Sequence, residues 1–484
     1  MSMNTRSILW MLGGLTVLGA VLRIIGLNNE LWYDEITTLV EFARKPLLEI
    51  LTHYSKNNHM LYSVMAHASL NLFGEHPWSL RLPAVLFAIA CIPALYMLGT
   101  IITSQLEALL AAGLLAVSYH HIWFSQDARG YTALVFWTLI STIFLLHGLR
   151  DKKVGWYIAY GLAAALGLYS HLSMGFVVMT HLLISISRLF APNVEGARSS
   201  ATFPAIGFTL TAIISAILYA PVWMQIYQSF SRTSPDPQTK VATLHWAFWE
   251  TLHSLNTGLG IWGMVFSGLL SAFGVLSYLK QSRLVFLLLT LPGFLAAFGI
   301  LILGSPIRPR FFFMLIGFGF LIVVRGAMLV AGWASHKWNA GTGRQLDSAV
   351  IGTALVGVII MANVSSLEFI YRYPKQDYEG ALRFVEATRA TEDAVITAGL
   401  AVMPYRDYYG QKWQGVESRD ELQAARSHPG RVWMLYSFLE YTEPGLASLI
   451  RQECPPVQIF YGTLGGGDVV VCTLQPKLVS GTNG

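Results

Sequence analysis

Two adjacent carboxylates, in the segment Tyr33-Asp34-Glu35, are the most informative residues of this sequence. They follow an apolar stretch, residues 8–27, that is long enough to cross a membrane. Ionisable groups are costly to keep beside a membrane, and carboxylates are suited to take or give a proton. Adjacent acids are more often solvated loop residues, so only the surrounding pattern favours a catalytic interpretation here.

A second group of residues that could do chemistry consists of arginines at the ends of apolar segments. A single arginine of this kind is usually an interface anchor whose charge reaches water. Several at one membrane face are suited to bind an anion, because the planar guanidinium donates two hydrogen bonds to a phosphate at once. The pattern therefore predicts a site for a lipid phosphate. The residues are Arg81, Arg129, Arg308 and Arg310.

The composition indicates a polytopic membrane protein that carries these groups. Of 484 residues, 54% are hydrophobic and 12% are charged, whereas soluble domains carry about 25% charged residues. Apolar segments of about 20 residues are expected to span the membrane. The predicted spans are residues 8–27, 80–102, 105–123, 131–149, 154–170, 174–190, 203–226, 255–279, 284–303, 311–333 and 347–364.

Positive charges orient these eleven predicted helices. With a cytoplasmic N-terminus, every joint on that side is basic except the very short one near Thr103, as the positive-inside rule requires. We therefore expect a multi-pass protein of the cytoplasmic (inner) membrane. The net charge of +5 reflects this topology. A Lys/Arg stripe interleaved with aromatic residues is lacking, so nucleic acid is not an expected partner.

The predicted organisation is a membrane domain over residues 1–364 and an extracytoplasmic α/β domain over residues 365–484. Residues 28–79 form the first outer loop, where helical spacing of apolar residues predicts two interfacial helices, within 47–54 and 61–72. The tail alternates strand-like and helix-like pieces. Its predicted strands are Ala394–Ala398, Arg431–Phe438, Val457–Tyr461 and Val469–Leu474, and its helices are Tyr378–Thr388, Asp420–Ala425 and Leu446–Arg451.

The cysteines and the spacing of possible metal ligands give little further information about structure or function. Cys454 and Cys472 both fall in the tail, which permits a disulfide without establishing one. Spacings of the CxxC or HExxH kind are absent, so the sequence predicts no metal site.

An ordered set of short segments resembles the GT-C superfamily of integral membrane glycosyltransferases. Tyr33-Asp34-Glu35, after a helix that bears Arg23, resembles the Asp-Glu motif of the family's first loop. The resemblance covers about residues 15–330 and is nearest to protein O-mannosyltransferases and the aminoarabinose transferase of lipid A. The other matching segments are Asn58-His59-Met60-Leu61-Tyr62, Leu72-Phe73-Gly74, Ser79-Leu80-Arg81-Leu82-Pro83, Ser125-Gln126-Asp127-Ala128-Arg129-Gly130-Tyr131, Tyr169-Ser170-His171 and Arg310-Phe311-Phe312.

The resemblance implies an inverting transfer of sugar from a polyprenyl-phosphate donor to a hydroxyl acceptor on a lipid, a glycan or a protein. It implies Asp34 as the general base. Glu35 is the neighbour that binds the acceptor or a cation, or exchanges roles with Asp34. No cofactor is assigned, and a divalent cation is left open. Membrane lipids are further partners.

The same resemblance implies the residues that bind the donor. Arg81, Arg129 and Arg310 are candidates to stabilise the departing phosphate. His59 and His171 are candidates for phosphate or sugar. For each histidine, an ordinary hydrogen-bonded role at the membrane interface is about equally expected.

Two other functional classes fit parts of the pattern. A lipid or sugar transporter (flippase) would also be polytopic, but it is expected to carry charges near the bilayer midplane, whereas these helices keep theirs at the ends. A lipid-linked glycan polymerase or ligase usually has its long outer loop late in the chain, whereas here the carboxylates follow the first helix.

Overall fold

Apolar helices make up most of the computed structural model, which describes residues 4–189, 197–231, 237–302, 307–342 and 345–474. The chain separates into two compact units. The first comprises Met1–Leu27 and Pro46–Leu367, and the second comprises Asn28–Lys45 together with the chain from Glu368 onward. The segment with Asp34 and Glu35 therefore belongs to the same unit as the C-terminal region.

A long series of α-helices precedes the C-terminal domain in the described part of the chain. A π-helical turn, Thr38–Ala43, and two 3-10 turns, Ala220–Val222 and Pro309–Leu315, lie between them. The α-helices are α1 (Thr5–Ile24), α2 (Tyr33–Thr37), α3 (Leu47–Thr52), α4 (Met60–Phe73), α5 (Pro77–Ile102), α6 (Gln105–Val117), α7 (Tyr119–Ser125), α8 (Tyr131–Asp151), α9 (Val154–Ser170), α10 (Met174–Leu189), α11 (Ala197–Tyr219), α12 (Trp223–Ser231), α13 (Pro237–Gln281), α14 (Arg283–Ile302), α15 (Ile316–Thr342) and α16 (Ser348–Arg372).

The helix lengths confirm a multi-span membrane protein. Within the described residues, eight helices are long and apolar enough to cross a membrane, and the pair α6–α7, bent by 55°, makes a ninth candidate. The two remaining predicted spans coincide with α9 and α10, which are apolar but shorter, at 17 and 16 residues. Each predicted span thus coincides with a helix, although the final residues of two, Phe190 and Leu303, lie outside the described residues.

A buried arginine on α1 donates hydrogen bonds to backbone carbonyls at the bend between α6 and α7. Breaking a helix in an apolar medium leaves its last carbonyls without intrahelical donors. The guanidinium of Arg23 donates to the carbonyls of Ala116 and Leu115, at 2.9 and 3.0 Å. It also donates to His121 Nδ1 at 2.7 Å. The hydroxyl of Ser118 begins α7 by accepting from the His121 N–H at 3.3 Å. These contacts join α1 to both halves of the broken helix.

Two glycines allow α13 and α15 to approach closely. A Cβ on Gly274 would overlap the carbonyl of Ile322, and a Cβ on Gly326 would overlap that of Leu270. Small residues are frequent at such contacts, because membrane helices associate through close packing rather than through the hydrophobic effect. The contact fixes α15, and the segment that precedes α15 carries Arg310.

In the described residues, the C-terminal region forms a five-stranded mixed sheet. Its elements are α17 (Tyr378–Thr388), β1 (Ala394–Gly399), β2 (Gln414–Val416), α18 (Arg419–Ala425), β3 (Val432–Ser437), α19 (Pro444–Glu453), β4 (Pro456–Phe460) and β5 (Val469–Leu474), with short turns of π-helix at Pro404–Tyr408 and of 3-10 helix at Leu439–Tyr441. The strand order is β2-β1-β3-β5-β4. Strand β1 runs parallel to both β2 and β3, whereas β5 runs antiparallel to β3 and β4.

Most of these elements were predicted from the sequence. The four predicted strands and three predicted helices of the tail are confirmed, with bounds that agree within two residues. The edge strand β2 was missed because its three residues are too few to show the alternation that marks a strand.

Cys454 and Cys472 form a disulfide in this domain. Cys454 follows the last residue of α19, Cys472 lies in β5, and their Cα atoms are 5.5 Å apart. Both side chains are buried in the hydrophobic core of the sheet. The bond therefore ties a helix to the sheet that it covers.

The disulfide should contribute measurably to stability. Replacing both residues, Cys454→Ser with Cys472→Ser, should lower the free energy of unfolding of the C-terminal domain by about 3 kcal/mol, the value expected for a closed loop of this size. Thermal melting of the whole protein, with and without reductant, measures the loss. Reductant should lower the melting temperature of the wild type but not of the double variant. Three reactive thiols in denatured, unreduced wild type, instead of one, would show that the pairing is wrong.

Candidate active site

Three aromatic rings from separate connections between helices of the first unit lie close together. His59 precedes α4, Tyr131 begins α8 and His171 follows α9. The ring centroids of the two histidines lie 4.9 Å apart. Those of Tyr131 lie 5.2 Å from His59 and 5.5 Å from His171. Three of the segments singled out in the sequence thus meet in one place, which we call the ring cluster.

Backbone hydrogen bonds fix the protonation pattern of both histidines. The Gly130 N–H donates to His59 Nδ1 at 3.3 Å, and the Ser173 N–H donates to His171 Nδ1 at 3.1 Å. A ring nitrogen that accepts an N–H carries no proton, so the hydrogen-bond network assigns the proton of each neutral ring to Nε2. Both side chains are therefore donors through Nε2.

Burial and nearby positive charge keep these rings neutral. Burial, and then the charges of Arg129 and Arg310, lower the pKa of His171 to about 3. Burial lowers the pKa of His59 well below its ordinary value, and Arg129 is the strongest of the charges that add to this effect. The charges that act on the two rings are positive. This surrounding favours an anion over a cation.

The two arginines reach this place from different parts of the chain. Arg129 lies in the turn before α8 and is buried. Arg310 lies in the 3-10 turn before α15, with its guanidinium carbon 5.9 Å from the centroid of the Phe311 ring. That ring lies 6.3 Å from His171. Together with the ring cluster, the two arginines form what we call the arginine–histidine site, which is suited to hold a phosphate.

Gly130 permits the close approach of these joints. A Cβ at this position would lie 2.8 Å from the Ser170 carbonyl oxygen and 2.9 Å from His59 Nδ1. Side-chain atoms essentially never lie so close to such neighbours. The glycine therefore lets the turn before α8, the end of α9 and the start of α4 pack against one another.

Arg81 and Gln126 hold the end of α1. Arg81 Nη1 donates to the Leu27 carbonyl at 2.9 Å, and the Arg81 side chain is buried. Gln126 Nε2 donates to the carbonyls of Ile25 and Arg23, at 2.6 and 3.2 Å. Arg81 thus contacts backbone at the point where α1 ends, and its predicted contact with phosphate stays a prediction.

Sequence reasoning gave no role to Arg23 or to the side chain of Gln126. The signal for Arg23 was an arginine within an otherwise apolar helix, where charged residues are rare and usually have a function. Gln126 carried no such signal, because a glutamine in a polar turn is ordinary.

The two carboxylates lie on α2, in the second unit, and differ in their surroundings. Glu35 is fully buried, and its Oε2 accepts from the Trp32 N–H at 3.4 Å, which caps the start of α2. Asp34 is half-buried. A side chain that exchanges a proton with a bound molecule must be reachable by it. Of the two carboxylates, Asp34 is thus the more accessible one, and its predicted role as general base stays a prediction.

Among the described residues, no group of three or more His, Cys, Asp or Glu side chains is arranged to hold a metal ion. Two adjacent carboxylates supply only part of the six oxygen ligands that a magnesium ion takes.

Comparison with known proteins gives a family match for the region that contains most of the arginine–histidine site. Residues 59–224 match the family described as dolichyl-phosphate-mannose-protein mannosyltransferase. This range includes His59, Arg129 and His171. Among curated protein sequences, none matches the chain.

Solved structures match the whole chain. ArnT from Cupriavidus metallidurans, in its apo state, is similar with a TM-score of 0.57 at 12% identity, over 97% of this chain and 98% of that one. The oligosaccharyltransferase of Archaeoglobus fulgidus, in complex with zinc and sulfate, is similar with a TM-score of 0.58 at 11% identity, over 95% of this chain and 72% of that one. At such identities the likeness is one of fold, and it includes the C-terminal unit.

Substitution of Gly130 tests the close packing of the site. Gly130→Ala should lower the free energy of unfolding by about 1–3 kcal/mol, because the added methyl group forces the Ser170 and His59 segments apart. Gly155→Ala is the matched control, since a Cβ there has no neighbour within 4 Å. It should be neutral or stabilise by up to about 1 kcal/mol. Thermal melting in detergent measures both effects. Equal melting temperatures of the Gly130→Ala and Gly155→Ala variants would show that the turn can accommodate a methyl group.

Proposed function

We propose that the chain is a membrane glycosyltransferase of the GT-C superfamily and that it transfers a sugar from a polyprenyl-phosphate donor to a hydroxyl acceptor. The family match over residues 59–224 and the likeness in fold to ArnT support this proposal. The observation that carries this proposal is the arginine–histidine site, where two arginines act on two buried, neutral imidazoles. The family description of residues 59–224 names a dolichyl-phosphate sugar, which supports a donor of this chemistry.

The donor phosphate is proposed to bind at Arg129 and Arg310. When the bond between the anomeric carbon and the phosphate oxygen breaks, negative charge grows on the phosphate. Guanidinium groups placed beforehand stabilise that charge more in the transition state than in the ground state. His171 adds a neutral N–H donor through Nε2, and His59 joins the turns that hold it. Arg81 contributes a third positive charge and anchors the end of α1.

Asp34 is proposed as the general base. Its carboxylate takes the proton of the acceptor hydroxyl, whose oxygen attacks the anomeric carbon from the side opposite the leaving phosphate. The products are an inverted glycoside and polyprenyl phosphate, and the proton remains on Asp34 until it passes to water. Glu35 maintains the start of α2 through its bond to the Trp32 N–H.

The reaction is proposed to take place at the outer face of the cytoplasmic membrane, with a cytoplasmic N-terminus and an extracytoplasmic C-terminal domain. The basic joints of the sequence support this orientation. The disulfide between Cys454 and Cys472 supports it as well, since such bonds persist in oxidising compartments. The acceptor belongs to the class of lipid, glycan or protein hydroxyls.

The role of Asp34 can be tested with an isosteric change. Asp34→Asn should reduce the release of polyprenyl phosphate from a polyprenyl-phosphate mannose donor by about 10²–10⁴-fold, because the amide cannot accept the acceptor proton. Glu41→Gln, which changes an exposed carboxylate in the same segment, should retain activity. Melting temperatures of both variants should equal that of the wild type. Full turnover by folded Asp34→Asn protein would remove Asp34 from the mechanism.

The phosphate site can be tested without any sugar. Arg129→Ala or Arg310→Ala should weaken the binding of polyprenyl phosphate by roughly ten- to a hundredfold, the effect of losing one charge-assisted hydrogen bond. Lysine at either position should restore only part of the affinity, because it lacks the planar fork. Arg150→Ala is the control, since Arg150 lies at the other end of α8, exposed and paired with Asp151. Unchanged affinity in both site variants would defeat the proposed phosphate site.

A further inference from the structure

The helix that carries the two carboxylates is too short to be stable by itself. α2 has five residues and continues directly into the π-helical turn Thr38–Ala43. Even the combined helical segment, residues 33–43, is shorter than the roughly 12 residues below which isolated helices are marginal in water. Contacts from elsewhere must therefore fix its position. We infer that Gln376, in the C-terminal domain, is the positioning residue that holds the start of α2 and so orients Asp34; this inference rests on the proposed function.

Gln376 uses both ends of its amide. Its Oε1 accepts from the Tyr33 N–H at 3.0 Å, and its Nε2 donates to the Gly467 carbonyl at 2.9 Å. The side chain is fully buried. Tyr33 is the first residue of α2, and its N–H is one of those that a helix cannot satisfy internally. Gln376 thus acts as a cap supplied from a distant part of the chain, braced on the turn between β4 and β5.

Further contacts hold the residues that precede α2 on the same domain. The Glu379 N–H, in the first turn of α17, donates to Glu30 Oε2 at 3.0 Å. The ammonium of Lys375 lies 5.8 Å from the centroid of the Trp32 ring. Both contacts come from residues within three positions of Gln376. The loop that leads into α17 and the first turn of α17 therefore contact the residues on the N-terminal side of Asp34.

The C-terminal side of the segment is held as well. After α2 and the π-helical turn, Arg44 Nη1 donates to the Asp407 carbonyl at 3.1 Å. Residues 28–45 are thus tied to the C-terminal domain at their beginning, middle and end. Of these contacts, the one with Gln376 is made directly to α2, next to Asp34 in sequence.

This arrangement gives the C-terminal domain a defined part in the reaction. A misplacement of a catalytic group by about 1 Å can cost roughly a hundredfold in rate. Loss of the Gln376 contact removes the acceptor of the Tyr33 N–H at the start of α2 and loosens the residues next to Asp34. The donor phosphate is held by residues of the first unit, so its affinity is expected to stay the same while the rate falls.

Hydrogen exchange tests the contact directly, on the whole purified protein. In Gln376→Ala, the amides of residues 33–37 should exchange about five- to tenfold faster, as expected when one buried hydrogen bond is lost. The rate constant kcat for release of polyprenyl phosphate should fall about ten- to a hundredfold. Affinity for polyprenyl phosphate itself should not change. Unaltered exchange over residues 33–37 would overturn the inference.

Two further variants separate positioning from general stability. Asp393→Ala removes the acceptor of the Trp433 Nε1–H and the Ala390 N–H, two hydrogen bonds within the same domain that do not involve residues 28–45. It should lower the melting temperature without changing exchange at residues 33–37 or kcat. Gln376→Met keeps most of the side-chain volume and loses both hydrogen bonds, so it should show the same faster exchange and the same fall in kcat as Gln376→Ala. Equal effects of Asp393→Ala and Gln376→Ala would overturn the positioning role.

The exchange measurement does not depend on the chemistry of Asp34. Faster exchange in Gln376→Ala, combined with full activity of Asp34→Asn, would contradict the role of Asp34 as the base. The contact between Gln376 and Tyr33 would then have no catalytic role. Normal exchange in Gln376→Ala, combined with inactive Asp34→Asn, would leave the proposed base standing and overturn only the positioning role.

Discussion

The fold of the membrane unit depends on the hydrogen bonds that the guanidinium of Arg23 donates. A bent helix in an apolar medium exposes carbonyl groups that water cannot reach, and each such group is expensive to leave unsatisfied. Arg23 donates to two of these carbonyls and to His121 at once. An arginine suits this position because it stays charged and offers five N–H groups in a fixed plane. The bend in turn leads α7 into the turn that carries Gln126 and Arg129.

The arginine–histidine site follows from how that turn is packed. Gly130 has no side chain to separate it from Ser170 and His59, so three joints of the helix bundle meet there. The burial that results lowers the pKa of both histidines, and the arginines lower it further. The histidines are thus neutral hydrogen-bond donors, and the arginines supply the charge. A phosphate benefits from both kinds of group.

The two kinds of chemistry in the proposed reaction belong to different units of the chain. Residues that stabilise negative charge lie in the first unit, among the membrane helices. The carboxylates lie in the second unit, on a short helix capped by Gln376. A proton acceptor and an anion site work best with different surroundings, since nearby positive charge lowers the basicity of a carboxylate. Carrying them on separate scaffolds lets each environment be set by its own neighbours.

Local periodicity and hydrophobic length in the sequence were enough to establish the membrane class, the positions of the apolar helices and four of the five strands of the tail. The sequence also identified His59, Arg129, Tyr131 and His171, whose grouping the tertiary structure then revealed. Three features are seen only in the folded chain: Arg81 contacts the Leu27 carbonyl, Cys454 pairs with Cys472, and residues 28–45 pack with the C-terminal domain. Each of these joins residues far apart in sequence. Local sequence patterns do not predict such contacts, because hydrogen-bond partners and packing are determined only when the whole chain has folded.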